Sequence, residues 1–514
     1  MSIRGPDDAD SLAELLTHKS LDGVESKEAL KMLAQLVDLA GVRGDKLGLD
    51  LAFAWSDELS QRALGGPDLL LGLYYRANIW GHVERIRSEA PDHDKLDWKQ
   101  PELQEEMLLL RRVAANPSFP ELHRVQQAQV LTNLGNVFST VGRVVEAIEL
   151  RDRVLTMIPR FGMARGTRAE SIMAYGQALQ RTKDRLPFLR AAVQGFASAT
   201  SEEAFYESAG YEGVVEKWRA KLNELSELLS RNTPADEIRR QETGNAPSIP
   251  YRQWCLDQRL YLSPLNDLGS ADDAASDRLH LPAPVPHNAR SEMLMGYLDA
   301  MQQELVSARW SYYEATSLAC PHDSDATLHI HDTGDGPVYG LRVERMKSVF
   351  RTAYSVMDKI AFFLNAYISL GMQPRDISFR RIWFEKNLRS TPAALAKSEN
   401  WPLRGLFWLS RDLFEPEFVD ITEPDAKALA EIRNHIEHKY LRVVKHDVAA
   451  PVVVGRDPLI FVVDQKSFED RTLRLLKLAR AALVYLVLAV HVEEMKQPPV
   501  PQGTRKTALP RLRS

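Results

Sequence analysis

Apolar residues recur at three- and four-residue steps along most of the 514-residue chain. This spacing places apolar side chains on one face of an α-helix and polar ones on the other. The first leucines that follow it are Leu12, Leu15, Leu16, Leu30, Leu33, Leu36 and Leu39. After the turn signal Gly65-Gly66-Pro67, the segment LLLGLYYRANIWGHVERI has a further apolar and aromatic face. The pattern predicts helices from about residue 10 to about residue 230.

The clearest repeat pattern lies in AQVLTNLGNVFSTVGRVVEAIELRDRVLTMIP, residues 128–159. It resembles a tetratricopeptide repeat, a pair of antiparallel helices of about 34 residues. The residues at the packing positions of that pattern are Leu134, Gly135, Phe138, Gly142, Ala147, Val154 and Pro159. We expect close helix contact at Gly135 and Ala147, with Pro159 ending the second helix. The following FGMARGTRAESIMAYGQALQ is typical of the opening helix of a next repeat.

One repeat cannot bury its own apolar face, so we expect a stack of roughly three or more helix pairs within residues 1–231. A plain helical bundle is the alternative. Either arrangement offers a surface for a protein partner or a sensed ligand, and this region shows no catalytic constellation. Residues 232–289 are then a polar, turn-rich connector. Its aromatic part, YRQWCLDQRLYLSPLNDLG, is expected to pack on a domain.

The region 290–496 has the pattern of one all-helical domain. Long helices are predicted over Ser291–Ser317, from about Arg342 to Leu370, and over Phe468–Met495. Asp358-Lys359 interrupts the apolar sequence of the second helix, either as a paired surface turn or as a contact to another element. The connection VVKHDVAAPVVVGRDPLIFVV has room for a small hairpin. Residues 497–514 are proline-rich and basic, which predicts disorder.

Composition narrows the class of protein. The chain is too long for one core and predicts about two to four domains. Its net charge of -5 argues against a surface that coats nucleic acid throughout, but it is compatible with a local basic cleft. Cys255 and Cys320 form no disulfide framework or metal quartet, which suits a reducing cytoplasm. The N-terminus lacks the basic start and the apolar core of a secretory signal peptide. The longest apolar run, Ala481–Val490, is too short to span a bilayer. It predicts a helix buried in a protein core, and we expect no contact with a membrane.

The stretch from Glu431 to Arg442 carries the densest chemistry of the chain. We predict that it lies inside a helix capped near Thr422–Asp425. The residues of its expected buried stripe are Leu429, Ile432, Ile436 and Tyr440. Asn434 and His438 then share one helix face. Arg433 lies about 140° around the helix from His438, so only its long side chain would let both groups meet at one phosphate.

An imidazole accepts and donates protons near neutral pH, and a guanidinium binds a phosphate through two parallel hydrogen bonds. These are the groups that metal-free RNA cleavage requires. The alternative is that Arg433 and Glu437 form an ordinary ion pair one turn apart, while His435 and His438 face solvent. A loop containing His329, His331, Asp332 and Asp335 suggests a metal site, but such a pattern is common in loops and we expect no metal or other cofactor.

Residues 290–496 resemble the HEPN family, an all-α fold whose signature is an Arg, a polar residue directly after it, and a His a few positions later. Arg433, Asn434 and His438 fit this signature. Similarity to a bacterial branch with tetratricopeptide-like helices before a C-terminal HEPN domain extends over several segments: FGMARGTRAE, YRQWCLDQRLYLSPLND, YSVMDKIAFFLNAYISLG and RNHIEHKYL. The expected fold is therefore an N-terminal helical repeat array followed by a HEPN bundle.

The resemblance implies a metal-independent endoribonuclease that works as a homodimer through this domain. His438 would act as general base or acid in attack of the RNA 2′-OH on phosphorus, and Arg433 would stabilise the developing charge. Asn434 would orient the imidazole or the phosphate, and the products would be 2′,3′-cyclic phosphate and 5′-hydroxyl ends. The expected supporting or substrate-binding residues are His435, Glu437, Lys439 and Arg442. Family associations suggest a toxin or antiphage effector. A non-catalytic adaptor that dimerises and binds a protein or nucleotide is the alternative.

Overall fold

A computed structural model of the chain describes residues 6–90, 98–207, 209–231, 249–282, 289–318, 322–329, 338–385, 391–414, 432–445 and 459–496. These residues divide into two compact units. The first contains the described residues up to 176 and from 186 to 231. The second contains residues 177–185 and the described residues from 249 onward. The N-cap candidate Thr422–Asp425, Leu429, Cys320 and the tail 497–514 lie outside the described residues.

The first unit is built from consecutive helices, as the apolar spacing predicts. In chain order they are α1 (Pro6–Thr17), α2 (Ser26–Arg43), α3 (Lys46–Ser60), α4 (Gly66–Ser88), α5 (Pro101–Ala114), α6 (Arg124–Thr140), α7 (Val144–Met157), α8 (Gly162–Ala178), α9 (Thr182–Ala199) and α10 (Glu212–Arg231). The last residues of α8 and the first of α9 belong to the second unit. Neighbours in sequence pack together, with α2 against α3, α4 against α5 and α6 against α7. The leucines of the first predicted stripe are largely buried in this unit.

The hairpin formed by α6 and α7 shows why small residues are needed where two helices meet. Gly135 faces α7 so closely that a Cβ atom would lie 3.3 Å from Arg151 Nε and 3.4 Å from the Ala147 carbonyl oxygen. Ala147 is completely buried. The chain turns between the helices at Gly142, whose φ of 89° favours glycine. The close contact predicted at Gly135 and Ala147 is confirmed, and α7 ends just before Pro159.

The second unit is a helical domain with one small sheet. Its helices are α11 (Ile249–Asp257), α12 (Ala289–Ser317), α13 (Leu341–Ile368), α14 (Ala393–Ala396), α15 (Trp401–Phe414) and α16 (Gln465–Met495), and residues 432–438 form a further helical segment, here called the motif helix. Helices α12, α13 and α15 each pack on α16. The all-α class predicted from the sequence is confirmed, because the strands β1 (Tyr440–Val444) and β2 (Ile460–Asp464) are short.

Helix α16 forms the centre of this unit. It is long and apolar enough to cross a membrane by length and composition, but 89% of its most apolar window is buried inside the protein. The predicted core run Ala481–Val490 is buried at every position. Burial of this apolar surface against three helices is the main source of stability expected for the unit.

The segment 249–282 lies against α12 and α16 through buried charged groups. Arg309 donates to both carboxylate oxygens of Asp277 at 2.8 Å and to the Tyr251 hydroxyl at 2.8 Å. Arg480 donates to Asp267 at 2.5 Å, and both side chains of that pair are almost fully buried. Breaking a buried pair leaves an uncompensated charge, which typically costs about 3–5 kcal/mol. These contacts therefore fix the aromatic part of the predicted connector to the second unit.

One expectation about the stretch around the motif helix is wrong. The helix ends at residue 438, and Tyr440, expected in the buried stripe, begins β1 and is 38% exposed. Ile432 and Ile436 of that stripe are buried. The connection considered for a small hairpin lies largely outside the described residues, and its described ends belong to β1 and β2, which pair in parallel, from Tyr440 with Ile460 to Val444 with Asp464. A parallel pair needs a long crossover, and the connection 445–459 is long enough to supply it.

Candidate active site

The motif helix and α13 border a cleft of about 400 Å³. Its lining residues are Phe350, Arg351, Tyr354, Ser355 and Asp358 from α13 and Arg433, Asn434, Ile436, Glu437 and His438 from the motif helix. All three signature residues, Arg433, Asn434 and His438, therefore line the same cleft. The side chain of Arg433 is long enough to reach this cleft, although its position lies about 140° around the helix from that of His438.

Arg433 is held from two sides by α13. Its Nη2 atom lies 3.4 Å from Asp358 Oδ2, and its guanidinium lies over the Tyr354 ring, 5.2 Å from the ring centroid. The other carboxylate oxygen of Asp358 accepts a hydrogen bond of 3.1 Å from the Phe379 backbone N–H. A cation over an aromatic face is stabilised by the ring quadrupole. The charged end of Arg433 is thus positioned in the cleft by residues outside the signature.

Glu437 does not pair with Arg433, as the ordinary helix ion pair would require. Arg351 from α13 reaches it instead, with Nε 3.2 Å from Glu437 Oε1, and donates from Nη2 to the Ile436 carbonyl at 2.9 Å. The two ion pairs, Arg351–Glu437 and Asp358–Arg433, show that the motif helix runs antiparallel to α13. Their side chains are 33–43% exposed, and pairs of that exposure contribute about 0–1 kcal/mol each. An anionic substrate can therefore displace either carboxylate at small cost.

His438 and Asn434 are both exposed to solvent at the cleft. Within the part of the chain that the structure describes, neither side chain has a hydrogen bond or an ion pair. An imidazole in this position can reach a substrate hydroxyl without first breaking a protein contact. The signature thus provides one cation held in place and one accessible proton-transfer group.

The other predicted site residues are distributed differently. His435 is buried, 5% exposed, with its ring 5.5 Å from that of Phe461 in β2. Arg442 is buried within β1, and Lys439 is exposed at the end of the motif helix. None of these three lines the cleft, whereas Glu437 does. The alternative in which His435 faces solvent is therefore wrong, because its ring lies on the face of the motif helix that packs on β2.

Three residues of α13 that line the cleft were missed at the sequence level: Arg351, Tyr354 and Asp358. Arg351 and Asp358 are seven positions apart, two helical turns, and so share one face. This seven-residue spacing was the feature of the sequence that indicated a shared polar face on α13. Of the two options for Asp358-Lys359, contact to other elements is confirmed, because Lys359 pairs with Glu304 of α12 while Asp358 contacts Arg433.

Tyr354 remains a neutral phenol in this site. Burial raises its pKa well above the ordinary value, and the nearby Arg433 charge only partly opposes that effect. Its hydroxyl has no hydrogen-bond partner within the described residues. The ring therefore supports the Arg433 guanidinium and does not itself ionise near neutral pH.

The loop that contains His329, His331, Asp332 and Asp335 is only partly described. His329 is exposed, and His331, Asp332 and Asp335 lie outside the described residues. Among the residues that are described, no group of three or more His, Cys, Asp or Glu side chains is arranged to hold a metal ion.

Among known protein families, residues 287–493 match the one described as LA2681-like HEPN. The match covers α12, α13, the motif helix and nearly all of α16, and does not extend over the helices of the first unit. No curated protein and no solved structure matches the chain. The chain therefore carries a HEPN domain of the LA2681-like family, and the cleft between α13 and the motif helix lies within it.

Proposed function

We propose that this chain is a metal-independent endoribonuclease whose active site is the cleft between α13 and the motif helix. The observation that carries the proposal is the convergence of Arg433, Asn434 and His438 on that cleft, with the imidazole exposed. HEPN domains are often ribonucleases, which agrees with this chemistry. A positioned cation and an accessible imidazole are the groups needed for transfer of a phosphoryl group to a neighbouring hydroxyl.

In the proposed reaction, the phosphoryl group passes from the 5′ oxygen to the neighbouring 2′ oxygen of the RNA strand. His438 removes the proton from a ribose 2′-OH, and the resulting oxygen attacks the adjacent phosphorus. The bond from phosphorus to the 5′ oxygen breaks, and that oxygen takes a proton from an imidazolium, leaving a 2′,3′-cyclic phosphate and a 5′-hydroxyl. Arg433 stabilises the charge on the non-bridging oxygens. Asn434 donates a hydrogen bond to the phosphate or orients the imidazole.

The experiment that tests the chemistry uses purified protein and a short RNA in the presence of EDTA. We expect cleavage to continue in the chelator, to give 2′,3′-cyclic phosphate ends, and to stop when the nucleotide at the cut carries a 2′-deoxyribose. Cleavage that disappears in EDTA and returns with Mg²⁺ or Mn²⁺ would contradict the proposal and redirect attention to the loop around His329.

We further propose that the helices of the first unit bind the partner or ligand that controls the HEPN domain, as in a toxin or an antiphage effector acting in the cytoplasm. Stacked helix pairs offer an extended surface for such binding. Without a controlling contact, a general ribonuclease would degrade the RNA of its own cell.

A non-catalytic adaptor that dimerises is the second candidate, and one observation favours it. Both cations of the cleft, Arg351 and Arg433, are paired with carboxylates, so the cleft has little excess positive charge to attract RNA. The chain as a whole carries a net charge of -5. An adaptor predicts a folded dimer that binds its partner but leaves RNA intact under every condition tested.

A further inference from the structure

We propose that Arg351 is a second phosphate-binding residue of the cleft, which contacts an RNA phosphate neighbouring the scissile one, and that Glu437 competes with RNA for it. The inference rests on the proposed function and extends it to a residue outside the HEPN signature. It assigns opposite effects on RNA binding to the two members of one ion pair.

The spacing along α13 separates the two cations of the cleft. Arg433 is anchored at Asp358 and Arg351 lies seven residues earlier on the same helix. Seven residues correspond to about 10 Å along the helix axis. The two guanidinium groups are thus held at separate points along one cleft, an arrangement that suits two neighbouring phosphates of one strand.

Arg351 also has donors left for a ligand. A guanidinium has five N–H donors. Nη2 of Arg351 uses one on the Ile436 carbonyl, and Nε faces Glu437 at 3.2 Å. Within the described residues Nη1 has no hydrogen bond, and 43% of the side chain is exposed. Rotation away from Glu437 would free Nε as well, giving the planar fork that binds phosphate through parallel hydrogen bonds.

The neighbouring arginines of α13 show what a purely structural pair looks like. Arg345 pairs with Glu314 of α12 at 2.7 Å, with a similar exposure of 35% and 39%. Arg342 pairs with Glu469 of α16 at 2.7 Å. Both lie outside the lining of the cleft. Arg351 differs because its partner, Glu437, directly precedes His438. Arg345 is therefore a matched control for the loss of one exposed ion pair from the same helix.

The test measures binding of a fluorescent single-stranded RNA to the full chain carrying His438→Ala, which prevents cleavage. On that background, Arg351→Gln is expected to weaken binding and to reduce the slope of log K against log salt by about 0.7, the value for one phosphate contact on a single strand. Glu437→Gln is expected to tighten binding, because the competing carboxylate is gone. Arg345→Gln is expected to leave both quantities unchanged.

A second measurement tests whether Arg351 binds a phosphate next to the scissile one. With otherwise unaltered protein, a dinucleotide with one additional terminal phosphate should be cleaved with a higher kcat/KM than the same dinucleotide without it. Arg351→Gln should remove that gain, while Arg345→Gln keeps it.

The outcomes separate this inference from the proposed function. If the protein cleaves RNA but Arg351→Gln and Arg345→Gln have the same salt slope and the same gain from the added phosphate, Arg351 is only structural and the inference is wrong. If Glu437→Gln weakens binding as Arg351→Gln does, the pair acts through stability and the inference is also wrong. If no RNA is cleaved while Arg351→Gln still lowers the salt slope, the nuclease proposal fails and the binding role stands.

Discussion

Arg433 lies between the Asp358 carboxylate and the Tyr354 ring, and neither of those residues belongs to the HEPN signature. The signature places a guanidinium and an imidazole on one short helix, but it does not determine where the guanidinium points. That direction comes from α13, whose side chains hold Arg433 in the cleft beside His438. The chemistry we propose therefore depends on packing between two helices that lie far apart in the sequence.

The residues of the site were only partly predictable for the same reason. Arg433, Asn434 and His438 could be found because their spacing is local. For Arg351 and Asp358 the seven-residue spacing places both on one face of α13, but a single sequence does not show that this face meets the motif helix. His435 looked equivalent to His438 by residue type, and only the position of β2 shows that its ring is buried against Phe461.

His491 of α16 predicts a loss of stability on acidification. Its buried ring accepts a hydrogen bond at Nδ1 from Gln180 N at 3.1 Å, and Nε2 lies 3.0 Å from the His280 carbonyl oxygen. Burial lowers its pKa from 6.5 to about 4. Between these values the unfolded chain binds a proton that the folded chain excludes. The contribution of neutral His491 to the free energy of unfolding is therefore fully present above pH 6.5. It is lost as the pH falls towards 4, by up to about 3 kcal/mol.

The measurement compares the free energy of unfolding of the second unit at about pH 7 and pH 5 for the unaltered chain and His491→Gln. We expect the fall in stability between these pH values to be smaller in the variant by about 2 kcal/mol. His82 of the first unit, whose pKa burial also lowers to about 4, is present in both proteins and cancels in the comparison. Equal pH dependence in both proteins would show that His491 already binds its proton in the folded state.

At the scale of elements, local spacing predicted helices well and the sheet poorly. The positions Ile432, Ile436 and Tyr440 follow helical spacing, but only the first two lie on a helix. Tyr440–Val444, YLRVV, is rich in aromatic and β-branched residues, which favour a strand. Whether they form one depends on β2, which follows the connection 445–459 and whose pairing no local pattern reveals. Helices α6 and α7 were predictable because Gly135 and Ala147 mark their contact locally.

The α6–α7 contact gives a prediction about stability. Gly135→Val places branched carbons where even a Cβ atom would lie 3.3 Å from Arg151 Nε and 3.4 Å from the Ala147 carbonyl. Overpacking of this kind typically costs about 1–3 kcal/mol, and it should lower the unfolding midpoint of the first unit. Gly213→Ala in α10 is the control, because a Cβ there meets nothing within 4 Å. If both variants unfold at the same midpoint, the two helices do not pack as closely as described.

At the scale of the whole molecule, we propose a homodimer formed through the HEPN domain. One cleft that is open to solvent stabilises developing charge weakly, whereas two motif helices facing each other would exclude water and provide a second imidazole. An isologous two-fold pair is the commonest way to achieve this. The dimer also gives the reaction separate groups to accept and to donate the proton.

Mixing two inactive chains tests this assembly. Arg433→Ala and His438→Ala are each expected to be inactive. A mixture should recover part of the activity if Arg433 of one protomer acts with His438 of its partner, and none if both residues act within the cleft of one chain. Light scattering on both variants checks that they still dimerise. A chain that is monomeric yet fully active would exclude the proposed arrangement.

The most direct test of the central claim is the single-turnover rate of RNA cleavage by the unaltered chain, by His438→Ala and by His18→Ala. His438 lines the cleft, whereas His18 is an exposed histidine of the first unit. Losing a general acid or base costs about 10²–10⁴-fold in rate, so we predict that loss for His438→Ala and an unchanged rate for His18→Ala. Equal cleavage by all three proteins would contradict the assignment of the cleft as the active site.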